Sequence, residues 1–262
     1  MISPLIGPVG LRPIEAHAVS ADGSVVIGEA LSPSSPPAAD HLEAFRWSNG
    51  VATGLGRLSN TDYSRAFGVS ADGSVVVGDS ASFSGSGRSE AFRWVNGVMT
   101  ALGSTPGNIG SVATAVSADG RVVVGAAFGP AGFPAFRWEN GVMGSIGDLG
   151  SSAYAQAVSG DGSVIVGWAG LPGGASETVA FIWDAAHGMR NLQDVLRTDY
   201  GLDPAGWQLL QATGISDDGR TIVGYGHGPD DNLQAFRVTL PEPAAMSLFA
   251  PAAAMLLRRR RR

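Results

Sequence analysis

Five aspartates recur in one pattern, S-x-D-G-[SR]-x-x-[VI]-G, and acidic side chains in turns are candidates for calcium binding. They are Asp22, Asp72, Asp119, Asp161 and Asp218. A calcium loop supplies several oxygen ligands within about 12 residues, whereas each of these turns offers one aspartate, or two in the fifth copy. We therefore predict that each carboxylate accepts hydrogen bonds from nearby backbone N–H groups in an Asx-turn.

The other residue types that catalyse reactions or bind metals lack the necessary spacing. Cysteine is absent, and the four histidines, His17, His41, His187 and His227, include no His-x-x-x-His pair for zinc. We find no Gly-x-Ser-x-Gly motif with a matching acid and histidine, no P-loop and no dinucleotide fingerprint. The sequence therefore predicts surface or turn histidines, no catalytic residue, no cofactor and no metal site.

Aromatic residues recur in a second pattern, Ala-Phe-Arg-Trp, and are candidates for a sugar-binding platform. They are Phe45, Phe92, Phe136, Phe181, Phe236, Trp47, Trp94, Trp138 and Trp183. A residue type repeated in every unit fills the same space in each unit, so we predict that they pack between units. The adjacent arginines are expected on the opposite face, bridging to carboxylates of a neighbouring strand or blade; they are Arg46, Arg93, Arg137 and Arg237.

The two patterns together define five repeated units, whose Asp-Gly motifs begin 50, 47, 42 and 57 residues apart. Each unit reads as four strands joined by tight turns, because Asp-Gly and Asn-Gly favour hairpins and the Val-Val-Val runs favour strands. Four short antiparallel strands in each of five units predict an all-β fold, a five-bladed β-propeller over residues 1–240. An open β-solenoid is the alternative, but it would need capping ends.

The two ends of the repeat region predict how the ring closes. The fifth unit stops after its third strand, at residues 235–240, and residues 2–7 (Ile-Ser-Pro-Leu-Ile-Gly) look like an orphan fourth strand. We therefore predict that the N-terminal strand pairs with residues 235–240 and closes the last blade.

Segments of variable sequence are expected on one face of the propeller. The Asp-Gly and Asn-Gly turns lie on the plain face, and the variable segments lie on the opposite, decorated face; they are residues 29–43, 79–90, 168–179 and 194–211. Because binding sites are common on variable loops of a rigid scaffold, we expect any binding there. These loops consist mostly of Ser, Gly, Pro and Ala.

The units resemble HAF repeats, which are found in predicted bacterial extracellular proteins. Ala-Phe is kept in all five units, but Glu43, Glu90, Pro134, Val179 and Gln234 replace the leading histidine of the motif. The resemblance covers about residues 14–238 and implies an extracellular protein.

The last 22 residues, 241–262, form a separate tail. Uncharged residues 244–257 follow Pro241, Glu242 and Pro243, and we expect them to form a short hydrophobic helix. Five arginines end the chain: Arg258, Arg259, Arg260, Arg261 and Arg262. This order is similar to the PEP-CTERM sorting signal of Gram-negative bacteria. The resemblance implies that an exosortase recognises Pro241, Glu242 and Pro243 and that the arginines are a cytoplasmic stop, with the tail as a membrane anchor before processing.

The net charge of the chain without its arginine tail limits the class of partner and, with the resemblances above, predicts a function. Residues 1–257 carry 12 basic and 23 acidic side chains, a net charge of −11, which disfavours nucleic acid as a partner. Residues 1–13 show no signal peptide, so we expect one to be encoded upstream. We predict an exported, non-enzymatic propeller of the cell envelope or extracellular matrix, with a polysaccharide or protein ligand. The alternatives are a lyase or hydrolase with a site on the variable-loop face, and a cytoplasmic protein-interaction propeller.

Overall fold

The computed structural model describes residues 4–7, 11–32, 41–82, 89–173 and 178–241. Over these ranges the strands form five antiparallel sheets in chain order, and within each sheet every strand pairs with the next one along the chain. The all-β prediction is therefore confirmed. None of the helices within these ranges has both the length and the apolar character needed to cross a lipid bilayer.

The first four sheets each contain four strands, and the fifth contains three. The first sheet contains β1 (Arg12–Val19), β2 (Val25–Ser32), β3 (His41–Ser48) and β4 (Val51–Gly54). The second contains β5 (Tyr63–Val69), β6 (Val75–Ala81), β7 (Ser89–Val95) and β8 (Val98–Gly103). The third contains β9 (Gly110–Val116), β10 (Val122–Phe128), β11 (Ala135–Glu139) and β12 (Val142–Gly147). The fourth contains β13 (Ala153–Val158), β14 (Val164–Gly170), β15 (Thr178–Asp184) and β16 (Gly188–Asn191), and the fifth contains β17 (Gln208–Ile215), β18 (Thr221–His227) and β19 (Leu233–Thr239).

The Asp-Gly turns between the first and second strands are the predicted Asx-turns. In the first unit, Asp22 Oδ1 accepts hydrogen bonds from Ser24 N at 2.9 Å and from Ser20 Oγ at 2.7 Å. Ser20 Oγ in turn accepts a hydrogen bond from Val25 N at 3.0 Å, and Gly23 takes the positive φ that the turn requires. These bonds favour the ionised carboxylate and lower the pKa of Asp22 to about 2.

Four of the repeated phenylalanines pack between sheets, as predicted, whereas Phe45 packs within the first sheet and against Leu5. Phe92 of the second sheet shares a buried cluster with Ile27 and Leu55 of the first sheet. In the same way, Phe136 of the third sheet packs against the second sheet, and Phe181 of the fourth sheet packs against the third. The tryptophans lie half-buried at the edges of these clusters, so the repeated aromatics build the core between sheets and form no exposed platform.

Two of the repeated arginines join neighbouring sheets, but their acceptors differ from the prediction. Arg46 Nε donates to the carbonyl of Gly73 at 3.0 Å, and Arg93 donates to the carbonyl of Gly120. Both acceptors lie in the Asp-Gly turn of the next sheet, so a carboxylate bridge is the wrong prediction for these two arginines. Arg137 does bind a carboxylate, that of Glu139 on its own strand, at 2.8 Å.

The first and last sheets do not complete the ring as predicted. Backbone hydrogen bonds connect the Asp-Gly turns of successive sheets, from Ala21 N to Ala71 O and onward to Asp217 O. Within the described ranges, no such bond returns from the fifth sheet to the first, and no strand pair of these two sheets makes the extensive contact seen between neighbouring sheets. The array of five sheets is therefore open between its ends.

Exposure at the two ends agrees with this gap. Val223 on the last sheet is 41% exposed, whereas Ile27, Val77, Val124 and Val166 at the same position in the other sheets are fully buried. At the other end Ala16 is exposed, although its counterparts are buried; these are Ala66, Ala113, Ala155 and Ala212. Each end thus presents a face that is covered in the interior of the array.

The N-terminal segment lies against the first sheet, so its predicted pairing with residues 235–240 is wrong. Of residues 2–7, the structure describes residues 4–7, which form no strand, and the carbonyl of Ile6 accepts a hydrogen bond from Ala52 N at 2.7 Å. Leu5 packs on the cluster around Phe45, as Leu55 shares a cluster with Phe92. The segment therefore takes the place of a preceding fourth strand without joining the last sheet, because the ends of the array are apart.

Two further regions concern helices: one that the sequence did not predict, and one that it did. The connection between the fourth and fifth sheets contains a helix, α1 (Leu192–Thr198), which Asn191 caps by accepting a hydrogen bond from Gln193 N. Leu192, Val195 and Leu196 of this helix are buried beside Phe236. The predicted tail helix at residues 244–257 lies outside the described residues.

Candidate functional site

The inner ends of the sheets form the candidate site. The first strands of successive sheets, β1, β5, β9, β13 and β17, lie beside one another along the array. In a radial arrangement of sheets the innermost strands surround a central channel. The first strand of each sheet, with the residues of the second strand that pair with it, therefore lies next to this central position.

One cross-strand pair in each sheet differs from its counterparts in chemical type, and we call these five pairs the channel pairs. Each joins the first strand to the residue that directly follows the repeated Val-Gly or Ile-Gly glycine. The pairs are Glu15 with Glu29, Arg65 with Asp79, Val112 with Ala126, Tyr154 with Trp168, and Gln211 with Tyr225. The same backbone position thus carries an acidic, an ionic, an aliphatic, an aromatic and a hydrogen-bonded pair.

The glycine beside each channel pair is required by close backbone contact. A Cβ atom on Gly78 would lie 1.9 Å from the carbonyl oxygen of Arg65, and one on Gly28 would lie 1.9 Å from that of Glu15. Real Cβ atoms do not approach so closely, so only glycine fits. The glycine brings the second strand against the first and fixes where the channel pair stands.

The ionic channel pair is the most completely bonded. Arg65 donates from Nε to Asp79 Oδ1 at 3.1 Å and from Nη2 to Asp79 Oδ2 at 2.9 Å. Ser89 Oγ adds a third hydrogen bond to Asp79 Oδ2 at 2.6 Å. The hydrogen bond to Asp79 raises the pKa of Arg65, and the guanidinium also lies 5.3 Å from the ring centres of Tyr63 and Phe67.

The acidic channel pair is joined by a histidine. His17 Nδ1 is 2.7 Å from the carbonyl oxygen of Ala66, and His17 Nε2 is 3.6 Å from Glu15 Oε1. One ligand atom from each of Glu15, His17 and Glu29 lies within 4.8 Å of the others. The His17 side chain is only 19% exposed, so the prediction of a surface or turn histidine is wrong for this residue.

The aromatic channel pair interacts electrostatically with the ionic channel pair. The rings of Tyr154 and Trp168 stack with their centres 6.1 Å apart. Burial raises the pKa of Tyr154, and the negative charge of Asp79 raises it further. Asp79 and Tyr154 belong to the second and fourth sheets, which are not adjacent, so this effect relates the ionic and the aromatic pair across the intervening sheet.

Sequence reasoning missed this site because it looked for variation in loops. Glu29, Asp79 and Trp168 are the first residues of three predicted variable segments, but the structure places them on strands. The signal was present in the repeat itself, since the residue after each repeated glycine changes from unit to unit. The predicted sorting residues remain apart from the channel: Pro241 follows the last sheet, and residues 242–262 lie outside the described residues.

A cavity of about 420 Å³ lies away from the channel, at the outer edge of β19. Leu196, Trp207, Phe236 and Val238 are among its lining residues. In each of the other four sheets a fourth strand pairs with the corresponding edge. The cavity therefore marks the position at which the fifth sheet lacks a fourth strand.

No protein-family model and no curated protein sequence matches the chain. Solved structures do match. TolB from Acinetobacter baumannii aligns with a TM-score of 0.54 at 16% identity, covering 88% of this chain and 55% of TolB. A putative TolB from Agrobacterium tumefaciens aligns with a TM-score of 0.52 at 13% identity, covering 91% of this chain and 78% of that one.

A puromycin-hydrolyzing peptidase from Mycobacterium tuberculosis also aligns, with a TM-score of 0.52 at 16% identity over 90% of this chain and 38% of the peptidase. The chain thus spans about half the length of the Acinetobacter TolB and less of the peptidase. At such low identity the likeness concerns the fold alone. Together with the five sheets in chain order, it shows that the chain has a β-propeller fold.

Proposed function

We propose that this chain is an exported, non-enzymatic propeller that binds a polysaccharide or protein ligand at its channel, in the cell envelope or extracellular matrix. The observation that carries the proposal is a contrast within the five units. Their strands, Asp-Gly turns and packed phenylalanines repeat and form a common frame, whereas their five channel pairs differ in chemical type. Repetition of the frame serves folding. Variation at the channel pairs serves recognition of an asymmetric ligand.

The chemistry of the channel pairs suits a polar ligand with apolar faces. The guanidinium of Arg65 is held rigidly by Asp79, and Tyr225 Oη donates to Gln211 Oε1 at 2.6 Å. The stacked rings of Tyr154 and Trp168 add an aromatic surface. Sugars combine hydroxyl groups with apolar C–H faces, so these side chains match a polysaccharide segment better than a nucleic acid.

Sorting is the second part of the proposal and rests on the resemblance of the tail to a PEP-CTERM signal. Leu240 donates from its backbone N–H to the carbonyl of Arg220 and is buried. Pro241 follows directly, so the tail begins where the folded body ends. An exosortase-type enzyme would then act at Pro241, Glu242 and Pro243 while residues 244–262 are held at the membrane.

A lyase or hydrolase remains the second candidate, because one observation favours it. Glu15, His17 and Glu29 converge near Arg65, whose pKa the negative charge of Glu29 helps to raise. A histidine beside carboxylates is a common acid–base arrangement. Turnover of a host polysaccharide by the purified chain, lost in His17→Gln, would favour this second function over simple binding.

The sorting proposal is tested by fractionating cells of the native host and determining the mature C-terminus by mass spectrometry. We expect cleavage near Glu242 and a processed chain in the envelope or medium. Glu242→Ala should leave the chain unprocessed, whereas Asp203→Ala, which removes an exposed carboxylate of the body, should not. An intact arginine tail in the cytosol would overturn the proposal.

The binding proposal is tested by calorimetric titration of the purified chain with extracellular polysaccharide from the host. We expect Trp168→Leu to weaken binding, because it removes one ring of the stacked pair. Phe133→Leu changes an aromatic side chain that is 54% exposed and outside the channel pairs, and it should bind like the unmodified chain. Equal binding by both variants would place recognition elsewhere.

A further inference from the structure

Three side chains of the first sheet form a cluster that the repeated frame does not require. Glu15 and Glu29 are cross-strand partners on β1 and β2, and a bulge between Ala16 and Ala18 displaces His17 from the ladder. One ligand atom from each residue lies within 4.8 Å of the others. Three ligand atoms this close together can bind one metal ion.

The proton on His17 is positioned by the neighbouring sheet. Its Nδ1 lies 2.7 Å from the carbonyl oxygen of Ala66. A carbonyl oxygen only accepts hydrogen bonds, so Nδ1 carries a proton, which leaves Nε2 as the ring nitrogen that can bind a metal ion. Metal-binding histidines are oriented in this way, by donating the other ring N–H to a carbonyl or carboxylate. The ring also stacks on Phe67 at 5.3 Å, which fixes its plane.

The carboxylate of Glu29 has an oxygen that protein groups leave unsatisfied. Oε2 is shut off from solvent and has no hydrogen-bond partner among the described residues. Both hydrogen bonds that the structure assigns to Arg65, the neighbouring cation, go to Asp79. A buried carboxylate oxygen without a partner is costly, and a bound cation would remove that cost.

We propose that Glu15, His17 and Glu29 bind a divalent first-row transition ion, with Zn²⁺ the best fit. One imidazole nitrogen and two carboxylate oxygens are ligands that zinc accepts, and three protein ligands leave a position for water or a ligand group. Calcium and magnesium bind oxygen ligands, so the imidazole nitrogen of His17 favours a transition ion over both of them. The Glu15 side chain is 64% exposed, so the ion is accessible from solvent.

The corresponding residues of the other units support a specific role for this cluster. No other unit places a histidine with two carboxylates at these three positions. The corresponding sets are Arg65, Phe67 and Asp79; Val112, Thr114 and Ala126; Tyr154, Gln156 and Trp168; and Gln211, Thr213 and Tyr225. The site therefore does not follow from packing that all five units share.

The test uses the full-length chain, stripped of metal with a chelator and titrated with Zn²⁺, Mn²⁺ and Ca²⁺ by calorimetry. We expect one Zn²⁺ per chain, with Mn²⁺ weaker and Ca²⁺ undetected. X-ray absorption of the zinc-loaded chain should show one imidazole among oxygen ligands. Absence of stoichiometric Zn²⁺ binding would overturn the proposal.

Variants separate this site from unspecific binding. His17→Phe places the side chain found at the same position of the second unit, Phe67, and Glu29→Gln keeps the shape of its side chain. Each should weaken Zn²⁺ binding at least about tenfold, while thermal unfolding of the metal-free chain shows whether the variant folds. His187→Gln is the control, because this histidine is 58% exposed beside Asp184. A loss of Zn²⁺ binding in this control, with none in His17→Phe or Glu29→Gln, would contradict the assignment.

Discussion

Arg65 and Asp79 are cross-strand partners whose side chains form two parallel hydrogen bonds, of 3.1 and 2.9 Å, at the inner end of the second sheet. The Asp79 side chain is fully buried, and the Arg65 side chain is 36% exposed. The buried carboxylate is therefore covered by a guanidinium that is itself partly exposed to solvent. A bidentate geometry of this kind is specific to arginine.

Removing the cation of this pair is expected to destabilise the protein. Among the residues that the structure describes, Arg65→Met leaves the buried Asp79 carboxylate with the Ser89 hydroxyl as its one side-chain partner, which should lower the free energy of unfolding by about 2–3 kcal/mol. This is below the range for a fully buried pair because Arg65 is partly exposed. Urea denaturation measures the change.

Two further variants provide controls for this prediction. The double variant Arg65→Met/Asp79→Leu removes both charges and should recover most of the lost stability. Arg121→Met removes an arginine that is 77% exposed and 3.6 Å from Asp119, so its effect should stay below about 0.5 kcal/mol. Equal losses for Arg65→Met and Arg121→Met would show that burial of Asp79 does not matter.

Gly78 provides a test of the close contact between the first two strands. In Gly78→Ala the new Cβ atom would lie 1.9 Å from the Arg65 carbonyl oxygen, so the hairpin must shift, at a cost of about 3 kcal/mol. Gly144→Ala is the matched control on a strand, because its nearest neighbour is 3.9 Å away. That variant should change stability by no more than about 0.5 kcal/mol in thermal unfolding.

The fold was largely predictable because each unit repeats the same local signals. Asp-Gly and Asn-Gly specify turns, and Asn49 and Gly50 indeed take positive φ values of 52° and 84°. The repeated phenylalanine specifies the contact between sheets. Closure of the ring was not predictable in this way, because it depends on the summed angles between sheets. A pattern such as Pro-Leu-Ile-Gly fits a fourth strand whether or not the last sheet is within reach.

The candidate site was predictable only in part, for a different physical reason. The charge of Asp79 acts on Tyr154 two sheets away, and the distance between these residues in three dimensions cannot be read from their separation in sequence. Glu15, His17 and Glu29 are close because β1 and β2 pair in one register and a bulge moves His17. A single-residue change of register would separate them.

The Asx-turns predict a dependence of stability on pH. Hydrogen bonds from Ser70 Oγ and from Ser74 lower the pKa of Asp72 to about 2, below the ordinary value of about 3.9 in an unfolded chain. Because the pKa is lower in the folded state, the ionised carboxylate stabilises the fold above about pH 4. That contribution is lost as the pH falls from about 4 to about 2.

Ser70→Ala tests this contribution. The substitution removes the hydroxyl that donates to Asp72 and also leaves Val75 N–H without its acceptor, so the pKa of Asp72 should rise in an NMR titration. The stability difference between the two proteins should be smaller at pH 2 than at pH 7. Ser163→Ala alters the same turn in the fourth unit and should leave the pKa of Asp72 unchanged; an Asp72 pKa unaffected by Ser70→Ala would contradict the assignment.

Val77 and Val223 occupy the same position in the second and fifth units and test whether the array is open in solution. Val77 is fully buried under the third sheet, whereas Val223 is 41% exposed because no sheet covers it. Val77→Ser should therefore cost about 2–3 kcal/mol, through lost apolar burial and an unsatisfied hydroxyl, and Val223→Ser should cost less than about 0.5 kcal/mol. Chemical denaturation of both variants measures the difference. If Val223→Ser is as damaging as Val77→Ser, the first sheet must cover the last in solution, and the ring is closed.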